Sequence, residues 1–361
     1  MRERIQRVVD DLVASGSETG LQVAVLGGGR TTVDAVAGRA TPDGRPVTPD
    51  TLFYAASTGK GVTVTLAHVA VERGLISYGT RVAEVWPEFA AHGKGGITLR
   101  DVLLHTAGVP GLPADITVED MCDWDRMCAL VAAAEPWWPP GTRTGYHAQT
   151  FGYLLGETLR RATGRPLSTL LRELLTEPLS VEGEVFLSVP DDRLGRVATQ
   201  EAGPALERPP PGSPAARATP AAVMPDAAYA NRRDVLTSDI PSAGTMSARG
   251  VARMYAALLG HVPGVTLVSP ERLALMAAPT FSGVDQVMGF PTTWAYGYSP
   301  YRPGGVEGRA GSTFGMLGVN GSAAWADIDT GVAVAVMRNR FAAGDLTAVE
   351  AVGRIVAEGG R

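Results

Sequence analysis

The chain has 361 residues, of which 45% are hydrophobic and 19% charged, proportions that are ordinary for a soluble globular protein. Its net charge of -5 provides no basic face for nucleic acid or for an anionic membrane surface. No apolar run reaches the roughly 18 residues of a transmembrane helix. The length exceeds one minimal domain and suits two fused ones.

The first predicted elements lie before residue 41. The opening residues, MRERIQRVVDDLVASGSETG, predict an amphipathic helix with an apolar face made of Ile5, Val8, Val9 and Leu12. This segment has neither the apolar core nor the cleavage site of a signal peptide, so we expect no export. LQVAVLGGG and TTVDAVAGRA then predict two short strands around a glycine turn.

The middle of the chain, from residue 98 to about 179, is predicted to be mainly helical. ITLRDVLLHTAGVPGL predicts a helix that is ended by Gly108 and Pro110. TFGYLLGETLRRATGRPLSTLLRELL predicts two helices separated at residues 164–166. The Pro- and Ala-rich stretch 203–225 predicts a long irregular loop, either a linker or a cover over a site.

The last third returns to strands. SAGTMSARGVARMYAALLG predicts a helix, TTWAYGYSP, GSAAWADIDTG and VAVAVMRNR predict strands, and DLTAVEAVGRIVAEGG predicts a closing helix. Strands therefore come from both ends of the chain and helices from its middle. This order predicts an α+β fold in which residues 1–56 and 240–361 form an α/β domain and residues 57–239 form an inserted, mainly helical domain.

The cysteines and histidines predict no metal site and no cofactor. Cys122 and Cys128 lie six residues apart, a spacing that fits neither a metal knuckle nor a redox pair. Two free thiols suit a reducing cytoplasm, the location that we expect for this protein. The five histidines are scattered without a ligand spacing such as H-E-x-x-H.

The segment FYAASTGKGVTVTLAHVAVERGLI contains a serine and one of the few lysines of the chain, next to two glycines and an apolar run. The chain has only two lysines, Lys60 and Lys94, and otherwise uses arginine. Arginine cannot lose its proton in a protein, so a retained lysine suggests a position that needs a neutral amine. Gly59 and Gly61 each destabilise a helix by about 1 kcal/mol relative to alanine. Glycine at these positions is reasonable if another group must approach the helix start closely.

Ser57 and Lys60 are three residues apart and would share one face of a helix. The helix start and burial against the apolar run would both lower the pKa of the lysine, and a neutral Lys60 could accept the proton of Ser57. The alternative is a serine that caps the helix and a lysine that reaches the surface. S-x-x-K taken alone is common and favours that alternative.

Four segments, in order along nearly the whole chain, resemble one superfamily. TPDTLFYAASTGKGVTVTLAHVAVERGLI resembles the active-serine segment of the serine β-lactamases and penicillin-binding proteins, for which S-x-x-K is typical. ITLRDVLLHTAGVPGL, PPGTRTGYHAQTFGYLLGETLRRATGRPL and FGMLGVNGSAAWADIDTGVAVAVMRNR resemble segments of its class C β-lactamase and family VIII esterase branch. The resemblance implies a β-lactamase/transpeptidase-like fold, with an antiparallel sheet flanked by the terminal helices, an inserted helical domain, and a catalytic cleft between the two domains.

The resemblance also assigns roles to individual residues. Ser57 matches the nucleophile, Lys60 its general base, and Tyr146 the motif tyrosine, which assists proton transfer as phenol or phenolate. The backbone N–H groups of Ser57 and Val319 match the oxyanion hole. Taken alone, Tyr146 would be read as a core tyrosine after a proline-glycine turn.

The chain departs from the family pattern at two positions. Ala148 stands where the Y-x-N motif has its asparagine, an amide that contacts the lysine and the substrate. Met316-Leu317-Gly318 stands where the family usually has K-T-G or H-x-G. The polar side chain that helps to hold a substrate carboxylate is therefore missing. Packing in the interior is the role that we expect for Met316. The predicted substrate-binding residues are Ala148, Met316, Leu317, Gly318 and Trp138.

Some aromatic and histidine side chains near these motifs have two interpretations. Trp137 and Trp138 either line the substrate pocket or pack the seam between the domains. His147 follows the motif tyrosine at a position that usually points away from the cleft, and His105 is interpreted as a structural histidine.

These residues predict a serine hydrolase with an acyl-enzyme at Ser57, first of all an intracellular esterase on small apolar esters. The second reading is an acyltransferase or thioesterase-like cyclase of specialised-metabolite biosynthesis. A β-lactamase or D-alanyl peptidase, and a catalytically inactive binding module, rank after these. The expected partners are a small-molecule ester or acyl donor and, for transfer, an amine or alcohol acceptor or a carrier protein, without nucleic acid, membrane or cofactor.

Overall fold

A five-stranded antiparallel sheet forms the centre of the computed structural model, which describes residues 1–204, 207–305 and 308–359. The first two strands come from the start of the chain and the last three from its end. In spatial order they are Arg30–Gly38, Gly20–Gly27, Val332–Arg338, Ala323–Asp327 and Thr313–Leu317. The predicted α+β fold, with strands drawn from both ends of the chain, is confirmed.

Helices cover both faces of this sheet. The terminal helices Arg2–Ala14 and Thr347–Gly359 pack on one face, where Ile5 and Val349 are fully buried beside Val23. The helix Ala248–Leu258 packs on the opposite face. Because successive strand residues point to opposite faces, the strand Gly20–Gly27 is apolar almost throughout and buried along most of its length.

The middle of the chain is mainly helical, as predicted, and includes several short 3₁₀ segments.

The α-helices over all the described residues are Arg2–Ala14, Lys60–Glu72, Val82–Val85, Leu99–Leu103, Val118–Cys122, Trp124–Ala133, Thr150–Thr163, Leu167–Leu171, Glu177–Leu179, Pro214–Ala218, Ala227–Ala230, Arg233–Thr237, Ala248–Leu258, Pro270–Ala277 and Thr347–Gly359. The 3₁₀ helices are Ala56–Gly59, Pro87–Gly96, Asp191–Arg196 and Ala221–Val223, and Arg172–Thr176 is a π-helix. Among the described residues, no helix combines the length and apolar character needed to cross a membrane.

Three small sheets complete the fold of the described residues. The sheet that matters for the site pairs Thr245–Met246 with Phe53–Tyr54 on one side and Val185–Phe186 on the other. A parallel pair joins Arg340–Phe341 to Glu201–Ala202, and an antiparallel hairpin joins Phe281–Val284 to Pro291–Trp294. The predicted boundaries of the two domains, at residues 56/57 and 239/240, stay predictions.

Two local predictions are wrong. The helix that begins at Leu99 ends at Leu103 rather than at Gly108, because His105 adopts a φ of 56° that a right-handed helix cannot accommodate. The strand predicted for TTWAYGYSP ends at Trp294, because Tyr296 and Gly297 both have positive φ and turn the chain.

The Pro- and Ala-rich stretch 203–225 is less irregular than predicted; residues 205–206 within it lie outside the described residues. It contains the helix Pro214–Ala218, which starts with proline and is capped by the Ser213 hydroxyl. Its Val223 is fully buried and accepts a hydrogen bond from Gln149 at 3.4 Å. This contact favours the interpretation of the stretch as a cover over a site rather than as a linker.

Candidate active site

Ser57 lies in a single 3₁₀ turn, Ala56–Gly59, which leads directly into the helix Lys60–Glu72. We call Ala56–Gly59 the serine turn. Residues i and i+3 eclipse each other in a 3₁₀ turn, so Ser57 and Lys60 face the same way. Ala56 has a φ of 43°, in the left-handed region that costs a non-glycine residue about 1 kcal/mol. The turn therefore presents Ser57 from a strained backbone.

The two glycines around Lys60 are required by close packing. A Cβ atom on Gly59 would lie 2.2 Å from the carbonyl carbon of Ala243, and one on Gly61 would lie 2.4 Å from the Tyr255 hydroxyl. The prediction that another group approaches the helix start closely is thus confirmed. The contact at Gly59 also brings the backbone around Ser242 to the side of Lys60.

Ser57, Lys60 and Tyr146 meet at one point. The Lys60 Nζ and the Tyr146 hydroxyl each lie 2.9 Å from the Ser57 Oγ. The Lys60 Nζ also lies 5.1 Å from the centre of the Tyr146 ring. The structure therefore brings together the three residues predicted to be catalytic, although they come from different parts of the chain.

Burial changes the proton affinity of Lys60. The residue is 1% exposed, and its Nζ donates a second hydrogen bond to the carbonyl of Ser242 at 3.0 Å. Desolvation lowers the pKa of Lys60 to about 7, because the ammonium form loses its water without gaining a carboxylate partner. A substantial fraction of Lys60 is thus a neutral amine near pH 7.

The other lysine is a useful comparison. Lys94 is also buried, but its Nζ donates to two backbone carbonyls, Ala91 at 2.7 Å and Ala134 at 2.6 Å. These bonds join the end of the 3₁₀ segment Pro87–Gly96 to Ala134, and within the described part of the chain the Lys94 amine makes no hydrogen bond to a hydroxyl group. Both lysines of this chain are therefore buried amines, and the contact with the Ser57 hydroxyl distinguishes Lys60 from Lys94.

Tyr146 is held as a phenol. Its ring stacks on the Trp294 ring with a centroid distance of 5.8 Å and an interplanar angle of 5°. Burial is the main cause that raises the pKa of Tyr146 to about 12; its hydrogen bond to Ser57 lowers the value and the charge of Asp285 raises it. Near neutral pH the hydroxyl therefore keeps its proton and can donate it.

The predicted oxyanion hole lies between the serine turn and the loop Gly318–Ser322. The Asn320 side chain donates to the Tyr54 carbonyl at 2.9 Å, and the Thr58 hydroxyl donates to the Ser322 carbonyl at 3.0 Å. Within residues 1–204, 207–305 and 308–359, neither the Ser57 N–H nor the Val319 N–H donates a hydrogen bond. Both groups are therefore available for a developing oxyanion, the role predicted for them.

The residues of the altered third motif differ in exposure. Met316 is only 3% exposed and packs near Gly61 on the helix that begins with Lys60, in agreement with a packing role. Leu317 is half-buried. A Cβ atom on Gly318 would lie 2.6 Å from the Ala55 carbonyl, so only glycine fits against the serine turn. Little of Met316 is left for contact with a substrate.

The residue after the missing asparagine of the second motif contacts the segment that binds Lys60. Ala148 is half-buried and offers no amide to Lys60. The next residue, Gln149, accepts a hydrogen bond from the Ser242 hydroxyl at 3.1 Å, while the Ser242 carbonyl binds Lys60. Sequence reasoning missed this pair; the signal was a glutamine one position after the expected asparagine.

Trp137 and Trp138 border a cavity of about 720 Å³, together with Leu112, Arg217 and Gln286, and the lining of this cavity includes none of Ser57, Lys60 and Tyr146. Trp138 is 5% exposed, lies under Gly145 and donates to the Thr106 carbonyl at 3.3 Å. It thus supports the segment before Tyr146 and offers little surface to a ligand. Trp137 is half-buried, with the Arg217 guanidinium 4.2 Å from its ring centre.

Both histidines near Tyr146 are buried structural residues. The His147 Nε2 accepts a hydrogen bond from the Val109 N–H at 3.0 Å, so this nitrogen is bound by the backbone rather than by Ser57. Burial lowers the pKa of His147 to about 4. His105 Nδ1 accepts a hydrogen bond from the His147 N–H at 3.1 Å, and its ring stacks on Phe151. Neither imidazole replaces Lys60 as a base for Ser57.

Comparison with known proteins places this geometry in a family. The family model described as "Beta-lactamase" matches residues 5–357. The esterase/beta-lactamase LipL of Mycobacterium tuberculosis is 34% identical over 318 residues, which cover 82% of this chain and 71% of LipL.

Two solved structures agree with this chain over almost its whole length. A family VIII carboxylesterase superposes with a TM-score of 0.88 at 30% identity, covering 98% of this chain and 96% of that one. A penicillin-binding protein homologue from Caulobacter crescentus superposes with the same TM-score of 0.88 at 33% identity and the same coverage of 98% and 96%. The chain belongs to the beta-lactamase family of serine hydrolases.

Proposed function

We propose that the protein is an esterase that forms an acyl-enzyme at Ser57 and prefers small, uncharged esters. The observation that carries this proposal is the Lys60 amine, 2.9 Å from the Ser57 Oγ and with a pKa lowered to about 7. A base needs a pKa near the working pH to be both deprotonated and effective. LipL, an esterase/beta-lactamase, and the family VIII carboxylesterase that superposes on this chain support the same activity.

The contacts suggest an order of proton transfers. Neutral Lys60 accepts the Ser57 proton as the Oγ attacks the ester carbonyl, and the oxyanion meets the N–H groups of Ser57 and Val319. Tyr146 then donates its phenol proton to the departing alkoxide. The Lys60 ammonium reprotonates the phenolate, since its pKa of about 7 lies well below that of the phenol. Attack by water on the acyl group repeats these transfers and frees Ser57.

The preference for uncharged esters follows from Met316 and Ala148. Met316 occupies the motif position that elsewhere carries a polar side chain for a substrate carboxylate, and it is buried in the core. Ala148 supplies no amide for the acyl amide of a β-lactam. A substrate carboxylate would therefore lose water without gaining a partner from either position.

The experiment compares kcat/KM for p-nitrophenyl butyrate, p-nitrophenyl hemisuccinate and nitrocefin. The first two are a matched pair that differ mainly in a terminal carboxylate. We expect butyrate to exceed hemisuccinate by tenfold to about a hundredfold, roughly the value of a charged hydrogen bond that is not made. Nitrocefin is expected to be the poorest of the three substrates.

Two other results would change the proposal. Faster turnover of nitrocefin than of the butyrate would show that another cation binds the carboxylate, and the esterase would give way to a β-lactamase. An acyl-enzyme that accumulates with little turnover would indicate an acceptor other than water, such as an amine or alcohol, and hence an acyltransferase. The cytoplasmic location stays a prediction.

A further inference from the structure

The hairpin that joins Phe281–Val284 to Pro291–Trp294 exposes three large apolar side chains at its tip. Val284, Met288 and Phe290 are 56%, 46% and 50% exposed, the highest values among the large hydrophobic residues of the described chain. Single apolar side chains scattered over a surface are normal, but these three fall between residues 284 and 290. We call residues 284–290 the hairpin tip.

The hairpin lacks the charges that usually protect an exposed pair of strands. Between Arg272 and Arg302 the sequence contains one charged residue, Asp285. Its carboxylate is fully buried, and the Oδ1 accepts hydrogen bonds from the N–H groups of Val287 and Met288 at 2.9 Å each. Exposed strands are commonly protected from association by lysine and other charged side chains. The hairpin tip has no such protection.

The apolar surface continues along the outer face of the two strands. Val284 pairs with Pro291, and both residues are exposed. In the next outward-facing pair, the hydroxyl groups of Ser282 and Thr293 lie 2.9 Å apart and bind each other. The outer face therefore carries apolar side chains and mutually bonded hydroxyl groups, without an ionised group.

The hairpin tip lies against the segment that carries the catalytic tyrosine. The Gln286 N–H donates to the Thr144 carbonyl at 2.9 Å, and the Asp285 Oδ1 accepts a hydrogen bond from the Tyr146 N–H at 3.1 Å. The Tyr146 hydroxyl lies 2.9 Å from the Ser57 Oγ. Any surface that docks on the hairpin tip is therefore brought next to the segment that presents the catalytic phenol.

One cation stands at the edge of the hairpin tip. Arg143 is exposed, and its guanidinium donates to the side-chain oxygen of Gln286 at 3.4 Å. A single arginine beside three apolar side chains is not a basic patch, and the net charge of -5 opposes attraction to an anionic lipid surface. The chemistry of the hairpin tip therefore fits an uncharged apolar phase.

We propose that the hairpin tip docks on the surface of aggregated, uncharged esters, so that the protein takes substrate from an ester–water interface. This inference rests on the proposed function and extends its substrate class from dissolved esters to water-insoluble ones. Docking removes the three apolar side chains from water, and the stabilisation grows with the apolar area that is covered. The same contact brings the ester surface to the segment of Tyr146.

The triple variant Val284→Thr/Met288→Gln/Phe290→Ser tests the role of these side chains. Binding to tributyrin droplets is measured by flotation of the Ser57→Ala protein, which leaves the droplets intact. We expect the triple variant to bind the droplets on the order of a hundredfold more weakly, because each half-exposed apolar side chain is worth roughly fivefold. Flotation of the triple variant equal to that of its parent would overturn the inference.

Catalysis provides the second measurement, with Ser57 present. The rate of wild type on tributyrin should rise steeply once the ester exceeds its solubility limit and droplets form. The triple variant should lose this rise, while its kcat/KM for dissolved p-nitrophenyl butyrate stays unchanged. An equal loss on the dissolved ester would show damage to the site itself and would overturn the inference. A wild-type protein without esterase activity would contradict the proposed function, while flotation still decides the docking.

Leu75→Gln is the matched control. Leu75 is 40% exposed and lies outside the hairpin, after the helix Lys60–Glu72. It should leave flotation unchanged; an equal weakening would indicate unspecific adsorption and overturn the inference. Binding should also persist at high salt, since apolar contacts are not screened, and its loss there would assign it to Arg143 instead. A wild-type dimer that the triple variant converts to monomer would identify a second copy as the occupant and equally overturn the inference.

Discussion

Replacement of Ser57 by alanine is expected to abolish esterase turnover and all covalent labelling by a fluorophosphonate. The Oγ is the atom on which both the Lys60 amine and the Tyr146 hydroxyl converge. Without it no acyl-enzyme forms, and turnover should fall by on the order of a millionfold, the loss typical of a catalytic nucleophile. Intact mass after labelling and initial rates with p-nitrophenyl butyrate measure both effects.

The control for this variant is Ser77→Ala. Ser77 is exposed, its hydroxyl bonds only to Thr80 among the described residues, and its loss should leave labelling and turnover unchanged. Circular dichroism should show the same fold for both variants. Labelling that persists in Ser57→Ala, mapped to another serine, would move the nucleophile elsewhere and end the present assignment.

Lys60→Arg is expected to lower kcat/KM by two or more powers of ten, the range of general-base catalysis. Arginine retains a positive charge and a long side chain but cannot accept the serine proton. Wild-type kcat/KM should rise as the pH passes through about 7, because the pKa of Lys60 is lowered to about 7 and only the neutral amine is active. The variant should lose this rise along with its activity.

Lys94→Arg is a stringent control, because Lys94 is the only other lysine and is equally buried. Both variants bury a larger cation, so both should lose stability, but only Lys60→Arg should lose turnover. Lys60→Met repeats the test without a buried charge, in case the arginine variant does not fold. Turnover of a folded Lys60→Arg protein within a few-fold of wild type would make Lys60 a structural cation.

Local sequence signals were sufficient where the chemistry is local. Ser57 and Lys60 are three residues apart, and this spacing places them side by side in a 3₁₀ turn as well as in the predicted α-helix. The two flanking glycines predicted a close approach by another part of the chain. The backbone of Ala243 and the hydroxyl of Tyr255 provide it.

Long-range contacts at the site were beyond reach of the sequence. The second acceptor of Lys60 is the Ser242 carbonyl, a backbone group 182 residues away that leaves no side-chain signature. The Asp285 carboxylate likewise accepts a hydrogen bond from a backbone N–H distant in the sequence, that of Tyr146. Their positions follow from the small sheet that carries Thr245 and from the hairpin, and neither element was predicted as such.

Departures from regular geometry were the other source of error. His105 was expected inside a helix, because its neighbours show helical periodicity, yet its positive φ ends the helix and places its ring against Tyr146 and Phe151. A buried residue in the left-handed region is stabilised by tertiary contacts that outweigh its local preference. Such positions are hard to predict from periodicity alone.

The central claim is that Ser57 becomes acylated by an ester through a neutral lysine. Rapid acid quench of wild-type protein with p-nitrophenyl butyrate, followed by intact mass and peptide mapping, tests it most directly. The account predicts one butyryl group per chain on Ser57 within the first turnover, with none in Ser57→Ala and far slower appearance in Lys60→Arg. Turnover of the ester without any adduct on Ser57, or an adduct on another residue, would contradict it.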